Sequence, residues 1–347
     1  MTKPVMILDQ HFRTVEELFS DRAFAELSTL CRVEGGLDRS MSAEEIAAHL
    51  GEAHFLVGAR PVVTQETLDA APHLKAVIEV SGAFHGEIDY AACLERGVEV
   101  LSCAPGFRFA VAEMGLSLLL AAARGVVAEH EAFRVGQEQW LDDRPATDFT
   151  LFRQKIGFVG FGNIARELHR LLTPFSPETF VYDPWLTNFP EDVTPLSLNE
   201  VFTECRAVIV TAVPAAENKG MVSAELIDLM PKGGVLVVLS RAHVLDFDAA
   251  TQAAAAGRIT FATDVYPSEP LPGGDPARVA RNLIHSPHRA AAVPGGRHPI
   301  GDFIVHDVDA ILSGRSERHL LAADMERVAG LVKAQRDIES MGKLPNT

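Results

Sequence analysis

Short β-branched apolar runs alternate with amphipathic stretches almost from end to end of this 347-residue chain. That alternation limits the fold more than any other feature. Strand–helix–strand units close into a parallel sheet with helices over its faces. Two such series are visible. The first places strands at Val5–Leu8, Phe55–Val57, Ala76–Val80 and Val98–Leu101. The second begins near Lys155, with strands at Ile156–Val159, Thr179–Tyr182, Ala207–Thr211, Val235–Leu239 and Ile259–Thr263. Strands of the second series are nearly all apolar, as a sheet covered on both faces requires. Ser42-Ala43-Glu44-Glu45 reads as a capping box, and Thr64 and Asp89 as N-caps. Val111–Gln139 reads as one long helical connector between the series, and Pro299–Leu312 as a helix that returns to the first. The expected class is α/β, built of two Rossmann/flavodoxin-like parallel-sheet domains.

Charge and cysteine content exclude several functions. Lys and Arg number 31 and Asp and Glu 47, so the formal net charge is −16. Nucleic-acid binding needs a basic face to displace counterions, so neither nucleic acid nor an anionic membrane surface is an expected partner. Cys31, Cys93, Cys103 and Cys205 form no C-x-x-C pair, and no Cys/His spacing resembles a zinc site, so no metal is expected. The run Val5–Leu8 is too short for a signal peptide, and Met114–Ala123 falls short of the roughly 20 residues of a membrane span. A cytoplasmic protein is expected.

One loop predicts a cofactor. Gly160-Phe161-Gly162-Asn163-Ile164-Ala165 follows an apolar strand and opens a helix. Gly160 permits the tight turn, Gly162 lets the backbone approach a pyrophosphate, and Ala165 stands where a third glycine would allow close packing. Free amides and the positive end of the helix dipole would hold the anion. Asp183 ends the next strand, where an acidic residue binds the ribose hydroxyls of NAD. A 2′-phosphate would meet like charge there, so NAD is favoured over NADP.

Ionisable residues also stand just beyond strand ends: Arg241 after Val235–Leu239, Asp264 after Ile259–Thr263, then Glu269 and His288. Ligands of open α/β sheets bind at carboxyl ends of strands, so Arg241, Glu269 and His288 can converge on one crevice. With this set the sequence resembles the D-isomer-specific 2-hydroxyacid dehydrogenases from about residue 55 to 315. The resemblance is carried by Ser81-Gly82-Ala83-Phe84-His85-Gly86-Glu87-Ile88-Asp89, Val111-Ala112-Glu113, the glycine loop, Val237-Val238-Leu239-Ser240-Arg241, Asp264…Glu269-Pro270 and Pro287-His288.

The resemblance implies a hydride transfer between the nicotinamide of NAD and C2 of a D-2-hydroxy acid or 2-oxo acid. Arg241 would grip the substrate carboxylate, His288 would be the acid/base at the 2-oxygen, and Glu269 would orient its ring. Asp264 would partner the nicotinamide carboxamide side, and amides around Gly82 and Ala83 would give a second carboxylate contact. Further cofactor contacts are implied at Asn163, Ile164, Val213, Pro214, Asn218 and Leu239. A substrate domain of 1–104 plus 299–347 and a cofactor domain of 105–298 would enclose an interdomain cleft, and a stretch near 111–145 would form the arm of a homodimer. Ala242, Ala291 and Asn218 depart from the family pattern, and Arg108 and Arg289 are extra cations near the motifs. An NAD-sensing, non-catalytic protein on the same fold is the alternative reading. A formate dehydrogenase-like enzyme is disfavoured, since that branch resembles this pattern with Gln in place of Glu269.

Overall fold

The computed structural model describes residues 3–141, 148–213, 215–325, 328–330 and 332. The chain divides into two compact units. One runs to Arg108 and resumes at Ala291, and the other is Phe109–Ala290. Among the described residues the strands are β1 (Val5–Asp9), β2 (Arg32–Gly35), β3 (Ala53–Gly58), β4 (Ala76–Glu79), β5 (Glu99–Ser102), β6 (Lys155–Val159), β7 (Glu178–Tyr182), β8 (Val193–Pro195), β9 (Ala207–Val210), β10 (Gly234–Val238), β11 (Ile259–Thr263), β12 (Leu283–His285) and β13 (Leu321–Ala322).

The first unit holds a six-stranded sheet in the order β13-β5-β4-β3-β1-β2. Its strands are parallel except β13, which pairs antiparallel with β5. Order 2-1-3-4-5 is the flavodoxin-like winding, and it reverses between β1 and β3. One face is covered by helices Asp21–Leu30 and His298–Leu312, whose Leu27, Ile300, Ile304 and Val308 are fully buried against Met6, Phe55 and Ile78. The opposite face buries Ile7, Leu56 and Val77 under Leu50, Leu68 and Cys93. Caps at Ser42, Thr64 and Asp89 sit where the sequence places them: each side chain accepts an amide of the following helix, from Glu45, Thr67 and Ala92.

The second unit holds a seven-stranded, wholly parallel sheet in the order β12-β11-β10-β9-β6-β7-β8. Strand order reverses between β6 and β9, so the turn after β6 opens at the switch point where doubly wound sheets take nucleotides. Phe158, Val237 and Ala262 are buried on one side, and Val210, Leu236 and Phe261 on the other.

The connector differs from expectation. Val111–Gln139 is not one helix: Arg108–Ala123 and Val126–Arg134 are separate helices, broken at Gly125, which adopts φ +59°. Residues 142–147 of the expected arm lie outside the described residues. With its preceding turn, the first of these helices gives a 20-residue apolar segment, Ala104–Ala123, long and apolar enough to cross a membrane by length and composition alone. Half of it is buried, with Leu118, Leu119 and Ala122 packed among Phe158 and Leu168, so it is accounted for as a core helix.

Candidate active site

The glycine loop has the geometry that its sequence predicts. Gly160 adopts φ +85°, and a Cβ there would lie 2.6 Å from the Ala212 Cα, so a side chain is excluded by both conformation and space. Gly162 precedes the helix Asn163–Leu172, and a Cβ there would meet nothing within 4 Å, which leaves open room over the helix N-terminus. Asn163 is exposed and Ile164 half-buried on its first turn, while Ala165 is buried. Asp183 closes the loop from the end of β7. Its Oδ2 accepts from the Phe161 amide at 2.8 Å and its Oδ1 from the Trp185 amide at 3.0 Å. Each oxygen keeps a lone pair, so the carboxylate both fixes the loop and can still accept from two vicinal hydroxyls.

Across the sheet, Val213 is exposed and Pro214 lies outside the described residues. Asn218 is buried and spends its amide mostly within its own loop: Oδ1 accepts from the Ala215 amide at 2.9 Å and Nδ2 donates to the Val213 carbonyl at 2.5 Å, while His243 Nε2 lies 3.3 Å from Oδ1. It therefore shapes the loop that carries Val213. The Leu239 side chain is buried beside Gly115.

Glu269 and His288 meet, with Nδ1 of the ring 2.5 Å from Oε2 of the carboxylate. The other carboxylate oxygen accepts from the Tyr266 amide at 2.9 Å, which fixes the plane of the acid. Burial raises the Glu269 pKa, but the hydrogen bond from His288 and the charges of His288 and Arg241 outweigh it and hold the group below its ordinary value of 4.5. His288 itself is partly exposed and stands at φ +49°, a conformation that costs an L-residue roughly 1–2 kcal/mol.

The device that holds this conformation is Asp264. The sequence resemblance assigns Asp264 to the nicotinamide side, and its buried carboxylate also ties down the His288 loop. Oδ1 accepts from Ser286 Oγ at 2.5 Å and from the Arg289 amide at 3.0 Å, and Oδ2 from the Ala290 amide at 3.0 Å. Residues on both sides of His288 are thereby clamped. Side-chain spacing gives no hint of this, because two of the partners are backbone amides.

Arg241 follows β10 and donates from Nη1 to the Ser240 carbonyl at 2.8 Å. Burial pushes its pKa down, and the charges of Glu269 and Asp264 push it back up. The guanidinium thus shares a neighbourhood with both carboxylates and has further N–H groups for an anionic ligand. Ser240 Oγ beside it is buried without a hydrogen-bond partner among the described residues.

Gly82 and Ala83 belong to the first unit, after β4. Gly82 adopts φ +91° with its α-carbon against the Phe107 ring. Its amide is not open to a substrate: it donates at 3.0 Å to Oε2 of Glu79, which also accepts from the Ser81 amide and hydroxyl at 2.9 and 2.6 Å. Ser102 donates to the other oxygen, and the Ala83 amide also helps to stabilise this carboxylate. Burial pushes the fully buried Glu79 carboxyl up despite these bonds. The expected carboxylate contact at Gly82 is therefore pre-empted by an internal acid that the motif reading did not weigh.

Residues 116–290 match the family model of the D-isomer specific 2-hydroxyacid dehydrogenase, NAD binding domain. Over 93% of its length the chain superposes on 99% of a phosphoglycerate oxidoreductase from Rhizobium etli, at 33% identity and a TM-score of 0.82. It is 26% identical to the D-3-phosphoglycerate dehydrogenase of Methanocaldococcus jannaschii over 79% of this chain and 52% of that one. It is 28% identical to the glyoxylate reductase of Thermofilum pendens over 79% of this chain and 82% of that one. The alignment thus spans about half the length of the archaeal phosphoglycerate dehydrogenase.

Proposed function

Because the chain belongs to the D-isomer-specific 2-hydroxyacid dehydrogenase family, we propose that it moves a hydride between NAD and C2 of a D-2-hydroxy acid or the corresponding 2-oxo acid. The observation that carries this reading is the 2.5 Å contact between His288 and Glu269, beside Arg241 and in the same unit as the glycine loop. Gly160, Gly162, the exposed helix N-terminus and Asp183 fit a dinucleotide: the turn is tight, the space above it is open, and an acid stands at ribose distance along the sequence. When bound, NAD accepts or supplies the hydride.

The chain's own residues do the rest. Arg241 holds the substrate carboxylate with the planar fork that suits two oxygens. Glu269 accepts from Nδ1 of His288, which leaves Nε2 as the atom that gives a proton to the 2-oxygen in reduction and takes it back in oxidation. Asp264 keeps the loop of His288 in place while the ring exchanges that proton.

Asp183 sets the expected cofactor preference. A 2′-phosphate beside this carboxylate meets like charge, and NADH is expected to be preferred over NADPH on the order of 100-fold in kcat/KM. Initial rates with both cofactors across a panel of 2-oxo acids test the reading. Equal use of the two removes Asp183 from the cofactor site, and binding of NADH without turnover of any acid favours the NAD-sensing alternative.

The arm supports a homodimer. Val126, Val127, Phe133, Val135, Trp140 and Leu141 are all exposed in the isolated chain, a density of apolar side chains that marks an interaction face. Sedimentation is expected to give twice the 37.6 kDa chain mass, and a monomer at micromolar concentration contradicts it. The four cysteines are buried and unpaired, with burial pushing the Cys31 and Cys93 thiols up to about 11 and Cys205 to about 12, which suits the reducing conditions of a cytoplasmic protein.

A further inference from the structure

The helix His298–Leu312 of the first unit ends on a glycine reversal. Gly314 adopts φ +70°, its amide donates to the Ile311 carbonyl at 3.2 Å, and the Arg315 amide reaches back to the Ala310 carbonyl at 2.8 Å. That pair of bonds turns a chain back on itself at a helix end. The returning segment passes alongside His306 before it enters β13. There the rings of His306 and His319 stack, parallel to within 2° and with centres 3.6 Å apart. Phe303, one turn before His306, packs edge-on to His319 with ring centres 5.3 Å apart.

Asp307 builds this corner. Its side chain is fully buried; Oδ1 accepts from His306 Nδ1 at 2.9 Å and from the His319 amide at 2.8 Å, and Oδ2 from the Leu320 amide at 2.8 Å. A carboxylate only accepts, so Nδ1 of His306 carries the hydrogen and Nε2 of the neutral ring carries the lone pair. An outer carboxylate that fixes a histidine in one tautomer is the common support of a metal ligand. Arg318 holds the same loop from its other side: Nε and Nη2 donate to Glu99 at 2.8 and 2.6 Å, and Nη1 to the Glu317 carbonyl at 2.7 Å. Its charge is thereby committed to Glu99. The exposed Glu317 carboxylate stands with Oε1 3.7 Å from His319 Nε2, too far for a hydrogen bond, and the His319 ring makes none among the described residues. One nitrogen of each ring and one oxygen of Glu317 lie within 4.8 Å of one another.

We propose that His306, Glu317 and His319 bind a divalent transition metal of the zinc type, which fastens the end of this helix to the segment entering β13. Two imidazoles and a carboxylate suit zinc and disfavour magnesium and calcium, which take oxygen ligands. Ligand atoms about 2.1 Å from a tetrahedral ion stand roughly 3.4 Å apart, so atoms that lie within 4.8 Å close by no more than about 1.4 Å. His306 stays fixed by Asp307, and the more exposed Glu317 and His319 supply the movement, which splays the two rings. Water takes the fourth position. The site lies wholly within the first unit and does not rest on the assigned reaction. No short motif announces it, because Glu317 stands 11 residues after His306, beyond the reversal at Gly314.

The experiment titrates untagged full-length protein, stripped with EDTA, with zinc chloride by calorimetry and with cobalt chloride by visible absorption. Wild type is expected to bind zinc at a single dominant site and to give with cobalt the absorption of a four-coordinate ion. His319→Ala and Glu317→Gln each remove one exposed ligand, and each is expected to weaken zinc binding by about tenfold or more and to abolish the cobalt signal. Circular dichroism checks that both variants are folded before titration. Zinc in large excess over its Kd is expected to raise the Tm of wild type by several degrees and to leave that of His319→Ala unmoved. Magnesium is expected to move neither. Zinc binding equal in all three proteins, or absent from wild type, overturns the proposal. So does a magnesium response as large as that to zinc, or zinc binding without a rise in Tm.

Discussion

His288→Ala is expected to lower kcat by about 10²–10⁴-fold while NADH still binds nearly as in wild type. As hydride reaches C2 of a 2-oxo acid, negative charge develops on the 2-oxygen, and a proton must be given there. His288 is the imidazole that combines exposure with a carboxylate on its other ring nitrogen, at 2.5 Å. The glycine loop and Asp183 do not depend on that ring, so cofactor titration should report an intact site. Glu269→Gln replaces an acceptor held by the Tyr266 amide with a neutral one and should cost kcat on the order of 10²-fold. The acid limb follows from the direction of the Glu269 shift. Its folded pKa lies below 4.5, so its contribution to stability is complete above that value and is lost as pH falls through the lowered one. Glu269 therefore remains ionised throughout the neutral range. Stopped-flow and steady-state rates check these figures, and near-normal turnover in His288→Ala would assign the proton to another group.

Asp264→Ala is expected to cost about 3–5 kcal/mol of stability and to lower kcat even where the variant remains folded. The substitution leaves the Ser286 hydroxyl and the Arg289 and Ala290 amides without their acceptor. It also releases a residue held at φ +49°, and the backbone can then relax away from the conformation that aims the ring. Urea unfolding measures the first effect, and rates at a temperature where both proteins are folded measure the second. A loss below about 1 kcal/mol together with normal turnover would show that Asp264 does not hold the loop.

The long buried strands and the capped helices were legible because their signals are local. Val235–Leu239 and Ile259–Thr263 are continuous apolar runs, and Ser42 with Glu45 is a capping pattern that needs no tertiary contact. Strands β2, β8, β12 and β13 escaped because each lies at or near a sheet edge and is short; β2 is also polar and largely unburied. The break at Gly125 was readable in principle, since a glycine inside a helical run is a C-cap signal, but the apolar residues on both sides favoured a continuous helix. Within the site, Arg241, Glu269 and His288 carry side-chain chemistry that survives in sequence. Asp264, Glu79 and Asn218 act largely on backbone amides, which every residue has, so spacing cannot show whom they serve.

The central claim is that this chain delivers hydride to C2 of a 2-oxo acid with D stereochemistry. Its most direct test is product analysis after incubation of the wild-type protein with a 2-oxo acid panel and NADH deuterated at the transferable position of the nicotinamide. The account predicts deuterium at C2 of a hydroxy acid of D configuration, formed in step with NADH loss and nearly abolished in His288→Ala. An L product, deuterium absent from C2, or NADH that binds and is never consumed would contradict it.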